Sequence, residues 1–115
     1  MELFNWSEVP EEQLNPTIAR KMIHGETMTL AQLRLSKGAV VPMHHHVNEQ
    51  ISMVQSGALR FQIGGEEKLL KAGQNVRIPP NVPHMVTAEE DSVAVDLFSP
   101  VREDWIRGDD SYLRK

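Results

Sequence analysis

Four polar side chains in the middle of the chain are of the types that bind transition metals. His44, His46 and Gln50 lie in the stretch GAVVPMHHHVNEQISMVQSG, residues 38–57. Alternate residues of an extended strand point to one face, so His44 and His46 are expected to face together. Gln50 lies an even number of residues further along and is predicted to join them. The fourth predicted donor is His84, in the turn-rich segment IPPNVPH.

This donor set indicates one divalent transition metal ion. Imidazole nitrogens with one oxygen suit Ni, Zn, Fe, Mn or Cu, and the sequence does not choose among them. The chain has no cysteine, which excludes thiolate ligands. Glu49 is the competing oxygen donor, but its odd spacing from His46 aims it at the opposite face unless a bulge intervenes. A neutral donor set leaves the charge of the ion uncompensated, and this favours anionic substrates.

A second group with potential chemistry lies near the end of the chain, in SVAVDLFSPVREDW. Asp96 and Phe98 share one face of a predicted strand whose other face is wholly apolar. A carboxylate is costly to bury there without a partner, so Asp96 is either exposed or paired with a structural arginine, or it lies beside the metal as a general base and acid. Arg102, beyond Pro100, is either a clamp for an anion or a solvated surface residue.

Short strands separated by turn residues must position these groups. TLAQLRLS alternates apolar and polar residues, and ALRFQI and EEKLL flank Gly64 and Gly65 as in a hairpin. NVRI, HMVTA and SVAVDLF follow as further strands, whereas the first fifteen residues are expected to be an irregular lead-in. Helical character is expected only near the C-terminus. The pattern predicts an all-β barrel or sandwich with short irregular or helical termini.

Length and charge exclude several classes of protein. A chain of 115 residues is predicted to form a single domain, residues 1–115. A net charge of -4 and a pI near 5.7 argue against a nucleic-acid partner. No apolar run is long enough to cross a membrane, and the N-terminus lacks the features of a signal peptide. We therefore expect a cytoplasmic protein.

Two stretches, residues 38–57 and 73–88, together resemble the paired motifs of the cupins. The positions that match the first motif are Gly38, His44, His46, Gln50 and Gly57, with Gln where Glu is usual. The second motif is matched at Gly73, Pro79 and His84, whereas Asn81 and Ala88 replace the usual Gly and Asn. The resemblance implies a single-domain jelly-roll β-barrel with a metal in its lumen and a homodimeric assembly.

The end of the chain narrows this resemblance. DLFSPVR followed by EDWIRGDDSYLR is similar to the end of the pectin-degradation cupins, and most small cupins lack such a tail. Members of that group convert 4,5-unsaturated uronate monosaccharides, released from pectin or alginate by lyases, into open-chain 4-deoxy-5-keto-uronate. The resemblance implies a small anionic sugar as substrate. It assigns the metal to His44, His46, Gln50 and His84, and catalysis to Asp96, Phe98 and Arg102.

Two other functions remain open at this point. An Fe(II)-dependent dioxygenase acting on small molecules would use the same ligands to activate dioxygen. A non-catalytic sugar-binding metallocupin would bind a sugar in a metal-dependent way without turnover. The fold does not decide among these functions, because one fold supports unrelated reactions.

Overall fold

Ten short strands make up most of the computed structural model, which describes residues 1–115. The strands are β1 (Glu12–Asn15), β2 (Ile18–His24), β3 (Thr29–Leu35), β4 (Val40–His44), β5 (Glu49–Ser56), β6 (Ala58–Ile63), β7 (Glu66–Lys71), β8 (Asn75–Ile78), β9 (His84–Ala88) and β10 (Ser92–Ser99). A short helix α1 (Glu103–Ile106) and two 3₁₀ turns (Trp6–Glu8 and Ser111–Leu113) lie near the termini. None of the helices has the length and apolar character that a membrane crossing requires.

The strands form two antiparallel sheets. The larger has the order β1-β2-β3-β10-β5-β8, and the smaller has the order β4-β9-β6-β7. The predicted all-β jelly roll is confirmed, although the two sheets form a sandwich and do not close into a continuous barrel. The first fifteen residues are not wholly irregular as expected. Leu14 is buried, and Glu12 and Gln13 pair with Arg20 and Ala19 to add β1 to the edge of the larger sheet.

An apolar core lies between the sheets, and one end of it is polar. Across the inner face of the larger sheet, Leu33, Ala94 and Val54 form one row of paired residues. In the next row of this face, Asp96 of β10 pairs with Ser52 of β5. The row after that pairs Phe98 with Gln50. The inward-facing residues of β5 and β10 therefore change from apolar to polar along the strands. The predicted site lies at this polar end.

Gly57 forms the tight turn between β5 and β6. Its φ is +83°, which disfavours any residue with a side chain. A Cβ atom at this position would also overlap the backbone carbonyl oxygen of Asp91. The glycine that closes the first motif is thus required by the close approach of the turn before β10.

Candidate metal centre

Three histidines converge at the polar end of the sandwich. His44 ends β4 and pairs with His84, which begins β9, while His46 lies in the loop between β4 and β5. One ligand atom from each imidazole lies within 4.8 Å of the others. The expectation of one extended strand through these residues is wrong, because β4 ends at His44. The chain then crosses to the other sheet, so that Gln50 on β5 approaches from the opposite side.

A backbone carbonyl group orients each imidazole ring. The Nδ1 atoms of His44, His46 and His84 lie 2.7, 3.0 and 2.8 Å from the carbonyl oxygens of residues 42, 48 and 82. A carbonyl oxygen can only accept a hydrogen bond, so each Nδ1 carries the proton and donates it. Each neutral ring therefore keeps its lone pair on Nε2, the atom left to bind a metal.

Two features of this cluster indicate that a cation fits there. The Nε2 atom of His84 is buried and has no hydrogen-bond partner. The Nε2 atom of His46 lies 3.0 Å from Oε1 of Gln50, which brings two acceptors together when Nδ1 holds the proton. A divalent cation at the centre of the cluster would satisfy both acceptors and the free lone pair. The donors thus fit a transition metal ion of the predicted kind.

The environment keeps the three rings neutral. Burial lowers the pKa of His44 to about 3 and that of His46 to about 4, and in both cases the charge of Arg102 adds to the effect. Burial also lowers the pKa of His84. Neutral imidazole is the form that binds metals, so the cluster is ready for a ligand role across the physiological pH range.

Asp96 faces the interior of the sandwich with 9% of its surface exposed. Burial raises its pKa to about 6, against the smaller opposing effects of a hydrogen bond from Ser52 and the charge of Arg102. No arginine forms an ion pair with Asp96, and therefore neither the exposed nor the paired alternative describes it. The cavity at this end has a mostly apolar lining, and its polar and aromatic residues include His44, Gln50, Ser52, His84, Asp96, Phe98, Arg102 and Tyr112.

Arg102 is buried at the wall of this cavity by contacts from the C-terminal segment. Its Nε and Nη2 atoms donate to the two carboxylate oxygens of Asp104 at 2.9 and 2.7 Å, and Nη2 also donates to the Tyr112 hydroxyl at 3.0 Å. The guanidinium carbon lies 4.7 Å from the ring centre of Phe98 and 4.0 Å from that of Trp105. Burial opposes its charge, but Asp104 and Tyr112 outweigh this and raise the pKa of Arg102.

Several residues near the site were not predicted from the sequence. Tyr112 stacks on His44 with 4.6 Å between ring centroids, although it lies in the C-terminal 3₁₀ turn. Trp105, Asp104 and Ser52 were also missed. The aromatic residues of the charged tail were a signal that this segment packs against the body, but no periodicity indicated what they contact.

The structure also shows the positions of Glu49, the alternative ligand, and of Asn81, a departure from the second motif. Glu49 is ion-paired with Arg77, 2.6 Å away, on the outer side of the sheet, and His45 is exposed. Asn81 has a φ of 62°, a left-handed conformation that Asn adopts more readily than most residues. Its backbone N–H donates to the carbonyl oxygen of His46 at 2.8 Å. Asn81 therefore adopts the turn conformation that a glycine would, and its backbone links the turn to the loop that carries His46.

This chain is similar to known proteins over most of its length. The cupin domain family matches residues 31–99. The pectin degradation protein KdgF of Dickeya dadantii (strain 3937) is 35% identical over 102 residues, which cover 86% of this chain and 93% of that protein. The solved structure of KdgF from a Halomonas species has a TM-score of 0.86 at 31% identity and covers 91% of this chain and 98% of its own. An RmlC-like cupin from Shewanella frigidimarina has a TM-score of 0.86 at 26% identity, with 91% and 96% covered.

Proposed function

The chain belongs to the cupin domain family, and from that premise we propose that it is a metal-dependent enzyme of pectin degradation. Its reaction would convert 4,5-unsaturated uronate monosaccharides into open-chain 4-deoxy-5-keto-uronate. The observation that carries this proposal is the meeting of a histidine cluster, a buried carboxylate and a buried guanidinium at one cavity, in a chain similar to KdgF over most of its length.

The substrate explains why these groups would be needed together. A 4,5-unsaturated uronate is a cyclic hemiacetal whose ring oxygen is part of an enol ether conjugated to a carboxylate. Breaking the bond between the anomeric carbon and the ring oxygen gives an aldehyde and an enolate, and protonation of C4 then gives the ketone. A divalent cation held by His44, His46, Gln50 and His84 would supply Lewis-acid stabilisation of negative charge at this position.

Asp96 is the proposed general base and acid. Because burial raises its pKa to about 6, the carboxylate is ionised near neutral pH yet basic enough to accept the proton of the anomeric hydroxyl. The same carboxyl group can then deliver that proton to C4. One side chain would thus move one proton from oxygen to carbon, and the reaction needs no change of oxidation state.

Arg102 and Phe98 are proposed to bind and orient the sugar. Asp104 and Tyr112 occupy Nε and Nη2 of Arg102, so Nη1 is the donor left for the substrate carboxylate. Phe98 lies on the same inner face as Asp96 and packs edge-on to His46, with 5.6 Å between ring centroids. It would form an apolar wall that excludes water from the enolate.

The test follows the ultraviolet absorbance of the conjugated double bond in an unsaturated uronate monosaccharide. Wild-type protein is expected to speed its decay over buffer alone, and removal of metal by a chelator is expected to abolish the effect. Asp96→Asn is expected to slow the reaction by about 10²- to 10⁴-fold, as loss of a general base does. Asp109→Asn is a matched control, since 73% of that side chain is exposed.

The assay also separates the rival functions. Decay no faster than the spontaneous rate would refute the ring-opening proposal. Metal-dependent binding of the sugar without decay would then identify a binding protein, and oxygen uptake with Fe(II) would identify a dioxygenase. Equal losses of activity in Asp96→Asn and Asp109→Asn would refute the catalytic role of Asp96 and leave the proposed reaction standing.

A further inference from the structure

Ser52 lies between two groups of the proposed site. It is 1% exposed and sits on the inner face of β5, two residues after Gln50 on the same face. In the pairing of β5 with β10, it is directly opposite Asp96. The side chain of Ser52 therefore connects a proposed metal ligand on its own strand with the proposed general base on the neighbouring strand.

The hydroxyl of Ser52 accepts a hydrogen bond from the side-chain amide of Gln50. A hydroxyl group has one proton to donate, and an ionised carboxylate can only accept. Ser52 lies opposite Asp96 across the paired strands, and a proton directed to that carboxylate leaves the hydroxyl oxygen to accept. The acceptor is used by Nε2 of Gln50, which donates to Oγ of Ser52 at 2.9 Å.

This direction determines which end of the Gln50 amide faces the histidines. With Nε2 turned toward Ser52, Oε1 is directed to the histidine cluster, 3.0 Å from Nε2 of His46. In the opposite orientation, the NH₂ group would donate to His46 and present protons where a cation needs an oxygen donor. The interaction with Ser52 opposes this rotation, since turning the amide would break the hydrogen bond that Nε2 of Gln50 donates to Oγ of Ser52.

We propose that Ser52 is a positioning residue that holds the carbonyl oxygen of Gln50 toward the metal. This inference rests on the metal site of the proposed function, but it does not depend on the identity of the sugar. Ser52 touches neither substrate nor metal in this proposal. It acts through Gln50, whose amide nitrogen donates to the hydroxyl oxygen of Ser52.

The test measures the affinity of the full-length protein for Co²⁺, by competition with a chelator and by the visible absorption of the bound ion. Ser52→Ala is expected to weaken Co²⁺ binding about 10- to 100-fold and to alter the absorption spectrum, as changes to groups that orient metal ligands do. Ser52→Thr keeps the hydroxyl and is expected to restore affinity. Ser92→Ala is the matched control, because it removes another buried hydroxyl that bonds to the backbone of residue 58.

A double-mutant cycle with Gln50→Ala distinguishes positioning from general damage. If Ser52 acts through Gln50, then Ser52→Ala weakens Co²⁺ binding no further once Gln50 is removed. Unfolding of the metal-free variants by urea shows whether each one folds, and Ser52→Cys replaces Ser52→Ala if the latter does not.

Unchanged Co²⁺ affinity in Ser52→Ala, or additive losses in the cycle, would overturn the proposal. A wild-type protein that binds no Co²⁺ would refute it together with the metal site. A protein that passes the cycle but does not act on uronates would leave the role of Ser52 standing and refute only the proposed reaction.

Discussion

Acidifying the metal-free protein is expected to destabilise it, because its buried imidazoles resist protonation. The perturbation is a change from about pH 7 to about pH 5 after removal of metal with a chelator. Unfolded histidines have a pKa of about 6.5 and become protonated over this interval. In the folded protein, burial lowers the pKa of His44 to about 3 and that of His46 to about 4, so these rings stay neutral.

The direction of the effect follows from which state binds more protons. Since the unfolded chain takes up protons that the folded chain refuses, stability is greatest above about pH 6.5 and falls as the pH drops toward the folded pKa values. His44 and His46 are each expected to lower the free energy of unfolding by about 2 kcal/mol between about pH 7 and pH 5. Asp96 acts in the opposite direction. Its pKa is raised to about 6, so the folded state takes up a proton and regains about 1 kcal/mol.

The expected net loss from these three groups is about 2 to 3 kcal/mol, and lowering of the His84 pKa adds to it. Urea unfolding at each pH, followed by circular dichroism, measures the free energy of unfolding. His44→Gln is expected to lose about 2 kcal/mol less than the wild type over the same interval. His45→Gln is the matched control, since His45 is exposed, and it is expected to follow the wild type.

Other titrating groups do not obscure this comparison. His24 also has a lowered pKa, but it is present in the wild type and in both variants, and its contribution cancels in the difference. Equal pH dependence in His44→Gln and the wild type would refute the reasoning. A metal-free protein that gains stability on acidification would refute it as well, because Asp96 would then dominate the histidines.

Three further predictions concern substrate binding by Arg102, the glycines of the first motif, and the apolar core. Arg102→Lys is expected to raise the KM for the unsaturated uronate at least about tenfold in initial-rate assays, because lysine lacks the planar fork and stacking surface, whereas exposed Arg107→Lys leaves it unchanged. Gly57→Ala is expected to cost more than about 4 kcal/mol in urea unfolding, whereas Gly38→Ala, whose Cβ would meet no atom within 4 Å, is expected to cost about 1 to 2 kcal/mol for its positive φ. Leu59→Ala, at a position only 1% exposed, is expected to cost about 2 to 5 kcal/mol in the same measurement.

Local patterns in the sequence were sufficient to predict most of the strands. The alternation in TLAQLRLS became β3, and the paired glycines at residues 64 and 65 became the turn between β6 and β7. Asp96 and Phe98 were expected on one face of a strand, and they do share the inner face of β10. These predictions hold because side-chain alternation and turn conformation depend on near neighbours.

Contacts between distant segments could not be predicted in the same way. His44, His46 and Gln50 were expected to meet on one strand, but they meet because the chain crosses between two sheets. Tyr112 reaches His44 only because the C-terminal segment folds back over the sandwich. The pairing of Ser52 with Asp96 depends on the register of β5 with β10. Spacing within one segment carries no information about such approaches.

The division of the donors between the sheets has a consequence for the dynamics of the fold. His44 and His84 belong to the smaller sheet, whereas Gln50 belongs to the larger one. An ion held by all three would link the sheets at the polar end of the sandwich, so separating them would require its release. We therefore expect amide hydrogen exchange in β4, β9 and β5 to slow together when metal is added, as one cooperative unit. The same ion that would stabilise charge in the reaction would then also limit how widely the sandwich can open.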